Sequence, residues 1–441
     1  MQKNDILNLT ISGYSSEGFG VARCDGQVVF VRNALDGEEV AAKILKVNKN
    51  AAFAITDSVL SPSAERVTPD CPHFPKCGGC GLRHMSYAEQ LRFKAQRVAQ
   101  TLERIGGVKA AVEIAPSPQA NGYRNKAMFE VRGGAIGFFR SGSHDVVAVD
   151  DCRLQSGTAN RVLQISAEYI QKHADCPIRN IFVRTDENRA QIAVITYKRD
   201  RRGAEALAQS ITEAMPGVEF SIFFGAQDGR NNVPLSAPLK HLSGARELPI
   251  ELCGFVYATE PKAFFQVNKP QTEQMLGYIT QTVSALPERG RILDLYCGCG
   301  AITLPLSRLA ESVTGAEIVP EAIAVAKRAA ENAGVQNAEF LCGDAGDVAE
   351  KLADSAKFDV VVTDPPRKGL LPEAAAAIIA LAPKHIVYVS CDPASLARDV
   401  RLFASAGYEL VSAQAFDMFP GTMHVETVAL LTQKGKLGIS E

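Results

Sequence analysis

The chain of 441 residues contains no nonpolar run long enough to span a bilayer, and its first ten residues lack the hydrophobic segment of a secretory signal. It also has no internal repeat and no low-complexity segment. We therefore expect a globular, cytoplasmic protein with no membrane partner. Because cytoplasmic thiols are kept reduced, the 11 cysteines predict metal ligands, nucleophiles or core residues and argue against a disulfide framework.

A strong overall charge is also lacking, since the formal net charge is −2. The charge is unevenly distributed, because residues 83–140 carry ten Lys or Arg against four Glu and no Asp. Such a local surplus is expected of a surface that binds a polyanion. An ordinary solvated surface has the same composition, so charge alone leaves both interpretations open.

The length and the changing pattern along the chain predict several domains. Residues 1–60 contain short strand-like runs separated by glycines, which favours a small β-barrel of the oligonucleotide-binding kind. The predicted strands of this barrel are Leu7–Ile11, Gly20–Arg23, Gln27–Val31, Glu39–Val47 and Ala51–Ser58. A linker follows the barrel. Residues 71–249 are predicted to form a mixed α+β domain, with helices over residues 87–105 and near residues 204–214.

From residue 250 onward, strand-like and helix-like segments alternate regularly. This alternation predicts a C-terminal α/β domain over residues 250–441, built on a parallel, doubly wound sheet. The glycine loop D-L-Y-C-G-C-G-A at 294–301 joins a predicted strand to a helix. Glu317 ends the next strand, where a carboxylate accepts hydrogen bonds from a ribose, unless it caps the following helix. Asp344 ends a third strand, where an adenine amino group could be recognised.

Three reactive groups lie at the ends of other predicted strands: Asp364, Cys391 and Glu426. In an open α/β sheet the carboxyl ends of the strands hold ligands and perform the chemistry. A single cysteine is more often a small buried nonpolar residue. Here the thiol follows its strand, and Asp392-Pro393 forces a turn directly afterwards, so we interpret Cys391 as a nucleophile.

Three further cysteines, Cys71, Cys77 and Cys80, lie in a glycine-containing loop. In a reducing compartment this spacing predicts a bound metal, and thiolates suit either zinc or an iron–sulfur cluster. The two cysteines of the glycine loop, Cys297 and Cys299, have no second pair nearby and are interpreted as packing residues. The cysteines predicted to be buried without a ligand role are Cys24, Cys176, Cys253 and Cys342.

Taken together, five motifs in this order resemble the RNA uracil-5-methyltransferases, which form 5-methyluridine. The motifs are F-F-Q-V-N at 264–268, D-L-Y-C-G-C-G at 294–300, D-P-P-R-K-G at 364–369, V-S-C-D-P at 389–393 and H-V-E-T at 424–427. The resemblance extends over essentially the whole chain. It implies an N-terminal TRAM barrel, a central α+β domain with an iron–sulfur loop, and a C-terminal Rossmann-like methyltransferase domain.

The resemblance also implies functions for individual residues. Cys391 matches the nucleophile that adds to carbon 6 of uracil, and Glu426 matches the base that removes the carbon-5 proton. Contacts with S-adenosyl-L-methionine are implied for Gln266, Tyr296, Glu317 and Asp364, in addition to the adenine contact of Asp344. The four ligands implied for a [4Fe–4S] cluster are Cys71, Cys77, Cys80 and Cys152.

Among the subfamilies, the barrel with four cysteines looks most like the enzymes that modify 23S ribosomal RNA. The expected partner is therefore ribosomal RNA, bound by a monomer with a flipped-out uridine. The candidate phosphate contacts are Arg124, Lys126, Arg132 and Arg140. The alternatives are the same chemistry on transfer RNA, an amino-group methyltransferase, or an RNA-binding factor without catalysis.

Overall fold

The computed structural model describes residues 1–173, 175–227, 235–353 and 356–435. Its strands are, in chain order, β1 Ile6–Thr10, β2 Gly20–Cys24, β3 Gln27–Arg32, β4 Glu39–Val47, β5 Ala51–Ser61, β6 Val112–Ala115, β7 Lys126–Arg132, β8 Ala135–Phe139, β9 Val146–Ala148, β10 Ile178–Asp186, β11 Arg189–Thr196, β12 Glu219–Ala226, β13 Lys240–Ser243, β14 Leu248–Leu252, β15 Phe255–Thr259, β16 Arg291–Leu295, β17 Ser312–Glu317, β18 Ala338–Cys342, β19 Val360–Thr363, β20 His385–Ser390, β21 Tyr408–Phe416 and β22 Glu426–Gln433. Its helices are α1 Tyr87–Thr101, α2 Gly157–Lys172, α3 Arg201–Ala214, α4 Lys269–Ser284, α5 Thr303–Ser307, α6 Pro320–Asn332, α7 Ala345–Ala353, α8 Pro372–Leu381 and α9 Pro393–Ser405, with a π-helical turn at Leu102–Gly106.

The N-terminal strands form a sheet of order β1-β4-β5-β3-β2. Alternate residues of these strands, such as Val29, Val31, Ala52 and Ala54, point into a common nonpolar core, as the period of two along a strand requires. The five strands predicted for this region are confirmed, and no end differs from the prediction by more than three residues.

The central residues form a mixed sheet of order β13-β12-β11-β10-β7-β8-β9. Strands β11 and β12 are parallel because α3 connects them, whereas the other neighbours are antiparallel. Helices α2 and α3 bury their nonpolar faces with this sheet. The predicted helix near residues 204–214 is confirmed as α3.

The C-terminal sheet has the order β18-β17-β16-β19-β20-β22-β21-β6. Strands β16 to β20 are parallel, and β22 is antiparallel to both of its neighbours. The predicted doubly wound parallel arrangement is confirmed for β16 to β20, whereas the antiparallel strand β22 departs from it. The order reverses between β16 and β19, and such a point opens a crevice for a ligand at the carboxyl ends of the strands.

One edge of the C-terminal sheet is formed by β6, which pairs in parallel with β21. This strand lies within residues 71–249, the range predicted for the central domain, yet it belongs to the sheet of the last domain. Its connection to that sheet comes from α1, which begins at the N-cap Ser86 and continues into the π-helical turn. The turn places Gly106 against Ala397 of α9.

All 11 cysteines have free thiols. Cys297 and Cys299 are buried in the core of the last domain, as their interpretation as packing residues requires. The prediction that Cys342 is buried is wrong, because it ends the edge strand β18 and is exposed to solvent. Among the described residues, no helix combines the length and nonpolar character that a bilayer crossing requires.

Candidate active site

Cys391 follows β20 directly and lies at the carboxyl end of the parallel strands. The turn behind it is fixed by Asp392, whose carboxylate caps α9 by accepting hydrogen bonds from the backbone nitrogens of Ala394 and Ser395, each at 3.0 Å. The thiol is half-buried. The pKa of Cys391 is raised to about 11 by burial and then by the charges of Glu426 and Asp364, whereas Arg367 acts in the opposite direction.

Glu426 lies across from Cys391 on the neighbouring strand. Ser390 pairs with Thr427 in the antiparallel ladder of β20 and β22, so the next position along the ladder brings Cys391 and Glu426 side by side. Glu426 is buried, and this burial, with the charge of Asp364, raises the pKa of its carboxyl well above the usual range. A thiol and a basic carboxylate thus share one pocket edge.

Asp364 follows β19, the strand on the other side of β20. Its backbone nitrogen donates a hydrogen bond to the carbonyl of Leu295, which ties this turn to the end of β16. Burial raises the pKa of Asp364 to about 7. The structure therefore brings together three of the residues predicted from the sequence, at the ends of adjacent strands.

The glycine loop after β16 is held by Glu317. One oxygen of that carboxylate accepts from the backbone nitrogen of Gly298 at 3.1 Å, and the other accepts from Val319 at 2.9 Å. Glu317 therefore supports the loop and the segment that leads into α6. Helix α6 begins at the N-cap Val319 without a side-chain cap, so the alternative that Glu317 caps it is not borne out, and the ribose contact stays a prediction. Gly298 has a φ of +55° and faces open space, so a ligand can approach its backbone closely.

Below the loop, Asp294 is fully buried and accepts a hydrogen bond from the hydroxyl of Thr303 at 2.6 Å. Its other oxygen, Oδ1, has no hydrogen-bond partner in the described residues. Burial, with the charges of Asp364 and Glu317, raises the pKa of Asp294 to about 7. Carboxylates crowded in this way are suited to a positively charged ligand, which would relieve their mutual repulsion.

The remaining predicted cofactor contacts surround this region. Tyr296, in the loop itself, has a φ of +63°, and Asp344 caps α7 by accepting from the backbone nitrogen of Gly346 at 2.9 Å. The backbone carbonyl of Gln266 accepts from the side chain of Asn125 at 3.2 Å, which links this segment to the central domain. Phe264 nearby is 71% exposed, with the Lys126 ammonium 5.8 Å from its ring centre.

The loop of residues 417–425, which leads into Glu426, is anchored by residues that the sequence analysis missed. Lys94 of α1 donates hydrogen bonds to the carboxylate of Asp417 and to the carbonyl of Phe419, and both charged side chains are fully buried. The backbone nitrogens of Gly81 and Leu82 both donate to the carbonyl of Gly421. A lysine among nonpolar residues of a helix was the available signal, but nothing in the sequence identifies its partner.

Positive charges surround the same loop. Arg97 donates to the carbonyl of Met423 at 2.8 Å, and the guanidinium of Arg124 lies 5.8 Å from the ring centre of Phe419. Burial, and then the charges of Arg367, Arg124, Arg97 and Lys94, lowers the pKa of His424 to about 4. The side of the site facing α1 is therefore suited to phosphate groups.

The cysteines predicted to bind a cluster line one cavity of about 70 Å³, together with Arg83 and Arg124. These cysteines are Cys71, Cys77, Cys80 and Cys152. Within the described ranges of the chain, no set of three or more His, Cys, Asp or Glu side chains is arranged to hold a metal ion. The four predicted cysteines therefore line one cavity, but they do not form the compact ligand set of a single ion.

The family models and the relatives that match this chain are consistent with one another. Residues 86–434 match the family described as tRNA (Uracil-5-)-methyltransferase, and residues 2–56 match the TRAM domain. An uncharacterized RNA methyltransferase of Clostridium tetani is 37% identical, with 99% of this chain and 98% of the relative covered. Another, from Halalkalibacterium halodurans, is 36% identical and has 98% of both chains covered.

Among solved structures, the chain is similar to the tRNA (uracil-54, C5)-methyltransferase of Pyrococcus abyssi, which was crystallised with S-adenosyl-L-homocysteine. The TM-score is 0.77 and the sequence identity is 27%, with 97% of this chain and 100% of the other covered.

The charges around Cys391 predict a measurable pH dependence of its reactivity. Arg367→Gln should raise the pKa of the thiol further and slow its alkylation by iodoacetamide at pH 8, because less thiolate is present. Asp364→Asn should lower the pKa and speed alkylation, since a shift of one unit changes the thiolate fraction about tenfold. The rates are measured by mass spectrometry of the Cys391 peptide, and Cys391→Ser is the control because its peptide carries no thiol. Identical pH profiles for the wild type, Arg367→Gln and Asp364→Asn would contradict this electrostatic account.

Proposed function

Since the chain belongs to the tRNA (uracil-5-)-methyltransferase family, we propose that it methylates carbon 5 of one uridine in 23S ribosomal RNA through a covalent bond to Cys391. Family membership makes it an S-adenosyl-L-methionine-dependent enzyme that acts on RNA and carries a TRAM domain. The observation that carries the proposed mechanism is the adjacency of Cys391 and Glu426 across β20 and β22. That adjacency supplies a nucleophile and a base on one side of a flat ring.

Carbon 5 of uracil is too weak a nucleophile to accept a methyl group unaided. Addition of the Cys391 thiolate to carbon 6 converts the ring to an enolate with an electron-rich carbon 5. Arg367 favours the thiolate, whereas Glu426 and Asp364 oppose it. Asp364, whose pKa is about 7, is suited to hydrogen bonding with the polar edge of the pyrimidine.

After methyl transfer, carbon 5 carries both a methyl group and its original hydrogen. Glu426 then accepts that proton, and the electron pair left behind restores the ring double bond as the Cys391 sulfur departs. The raised pKa of Glu426 supports this role, because a buried carboxylate binds a proton more strongly than a solvated one.

S-adenosyl-L-methionine, when bound, supplies a methyl group on a positively charged sulfur. We assign its contacts to Gln266, Tyr296, Glu317, Asp344 and Asp364. The open space beside Gly298 and the unsatisfied oxygen of Asp294 support a cationic ligand at this loop. In this proposal these residues orient the ligand towards Cys391.

The cavity lined by Cys71, Cys77, Cys80 and Cys152 is proposed to hold a [4Fe–4S] cluster. Thiolates are the ligands that iron–sulfur clusters take, and the cavity shared by all four cysteines supports this proposal. When bound, the cluster would join the loop of residues 71–84 to Cys152 and support the surface that carries Arg124.

The proposal of 23S ribosomal RNA as the substrate is supported by the combination of an N-terminal barrel with four cysteines. The competing substrate is transfer RNA, because the Pyrococcus abyssi enzyme that covers the chain end to end acts on tRNA. Either RNA would be held by positive charges, with Arg124, Lys126, Arg132 and Arg140 as the proposed phosphate contacts. We further propose a cytoplasmic monomer with domains at 1–60, 71–249 and 250–441, in which β6 of the middle range completes the sheet of the last domain.

The covalent mechanism predicts opposite results for two substitutions. Cys391→Ala should abolish methyl transfer, whereas Glu426→Gln should accumulate a methylated protein–RNA adduct, because the thiolate cannot leave until the proton is removed. The adduct is detected as a slower band on a denaturing gel with labelled RNA. Cys342→Ala, which alters an exposed thiol, should keep full activity as the control. Methylation by the Cys391→Ala enzyme would exclude the covalent route.

The substrate is determined by mapping 5-methyluridine in a strain that lacks this protein. We expect one position in 23S ribosomal RNA to lose its methyl group while all tRNA positions keep theirs. The wild-type gene should restore the methyl group, and the Cys391→Ala gene should not. Loss confined to tRNA would assign the enzyme to that substrate instead, with the chemistry unchanged.

The cluster predicts iron in the purified protein. Anaerobically prepared enzyme should show absorption at about 400 nm and about four iron atoms per chain, and both should fall sharply in Cys77→Ser. The matched control is Cys253→Ser, which alters a half-buried cysteine outside the cavity. Zinc without iron, lost in the same variant, would contradict the assignment.

A further inference from the structure

Two phenylalanines lie side by side on the outside of the N-terminal barrel. Phe30 of β3 is the direct register partner of Phe53 of β5, and their ring centres are 5.5 Å apart with an interplanar angle of 34°. Their chain neighbours, including Val29 and Ala52, point inward to the barrel core, so the alternation of the strands turns both rings outward.

Neither ring is part of a nonpolar cluster in the described residues. Both are half-buried, with their outer faces open to solvent. Because both rings turn away from the barrel core, part of their nonpolar surface stays in contact with water. A partly exposed aromatic pair of this kind is suited to contact with a partner outside the chain.

Cationic side chains lie on the same face of the barrel as the two rings. Lys46 is the register partner of Phe53, and Arg32 follows Phe30 by two positions on the same face. Strands β4 and β5 also carry two carboxylates, Glu39 and Asp57. Glu39 lies farther from the pair than Lys43 on β4, and Asp57 lies farther from it than Ile55 on β5. The exposed cations of this face are Arg23, Arg32, Lys43 and Lys46.

We propose that this surface, the Phe30–Phe53 platform, stacks on unpaired bases of the substrate RNA while its cations hold the adjoining phosphates. Base stacking on aromatic rings beside basic side chains is the recurring arrangement for single strands, since every base offers a planar face. The proposal rests on RNA as the substrate and adds the location and the form of RNA that the barrel binds.

The platform keeps a fixed position relative to the active site. The hydroxyl of Tyr14 donates to the carboxylate of Glu89 on α1 at 2.6 Å, and Arg66 forms an ion pair with the buried Glu38. A nonpolar cluster joins the barrel to α1 and the cysteine loop through Leu35, Leu82, Met85 and Phe93. Because α1 also holds the loop before Glu426 through Lys94, a base on the platform and a uridine at Cys391 are bound at a set spacing.

The chain has no tryptophan, so Phe53→Trp introduces a single fluorescent reporter. We expect its emission to be quenched by a single-stranded RNA containing the target site, and not by a fully paired RNA of the same length. Quenching by both RNAs alike, or by neither, would overturn the proposal. Emission that changes on adding a ribosomal protein but not RNA would assign the surface to a protein partner and overturn it as well.

Measurements of RNA affinity and of turnover distinguish a role of the platform in RNA binding from a role in catalysis. Phe53→Leu should raise the Kd and the KM for RNA at least about fivefold with kcat unchanged, whereas Phe53→Trp should retain wild-type values because it keeps a ring. Lys46→Gln should reduce the salt dependence of log Kd by about 0.7, and Lys327→Gln on α6 should leave it unchanged. Equal Kd values for Phe53→Leu and wild type would refute the stacking contact. Stacking without methylation by the wild-type enzyme would instead refute the proposed function.

Discussion

The buried ion pair between Lys94 and Asp417 is the contact on which the geometry of the active site depends. It joins residues 323 positions apart and places two full charges where water cannot reach them. Burial lowers the pKa of Lys94, and the attraction of Asp417 opposes that shift. Removal of one partner from such a pair is costly, because the other charge is left buried and uncompensated. The pair therefore fixes the loop of residues 417–425, and that loop determines where β22 begins and where Glu426 lies.

The site itself has opposing electrostatic requirements. Carboxylates at the ends of β16, β17, β19 and β22 suit a cationic sulfonium, but the same charges oppose formation of the Cys391 thiolate. Arg367 offsets part of this repulsion. A bound cation would offset more of it and would favour the thiolate of Cys391.

Much of the fold could be predicted because its signals are local. The strands of the barrel, α3 and the parallel sheet follow from period-two and period-3.6 patterns within short windows. The grouping of Cys391, Asp364 and Glu426 could be predicted for the same reason, since each directly follows or begins a strand. The partner of Lys94, the edge position of β6 and the platform formed by Phe30 and Phe53 depend on pairings between distant segments. Periodicity within one segment carries no information about such pairings. The exposure of Cys342 was missed because an edge strand and a central strand have similar sequences.

The edge strand β6 has a consequence for how the protein is made. Its partner β21 emerges from the ribosome only near the end of synthesis. During most of synthesis α1 and β6 therefore lack the neighbours that they have in the folded protein. The barrel and the central sheet can form earlier from contiguous segments. The catalytic half cannot, because its sheet stays open at one side until the early strand inserts. A fragment beginning at residue 250 would retain every motif of the chemistry and still present an unprotected sheet edge prone to self-association.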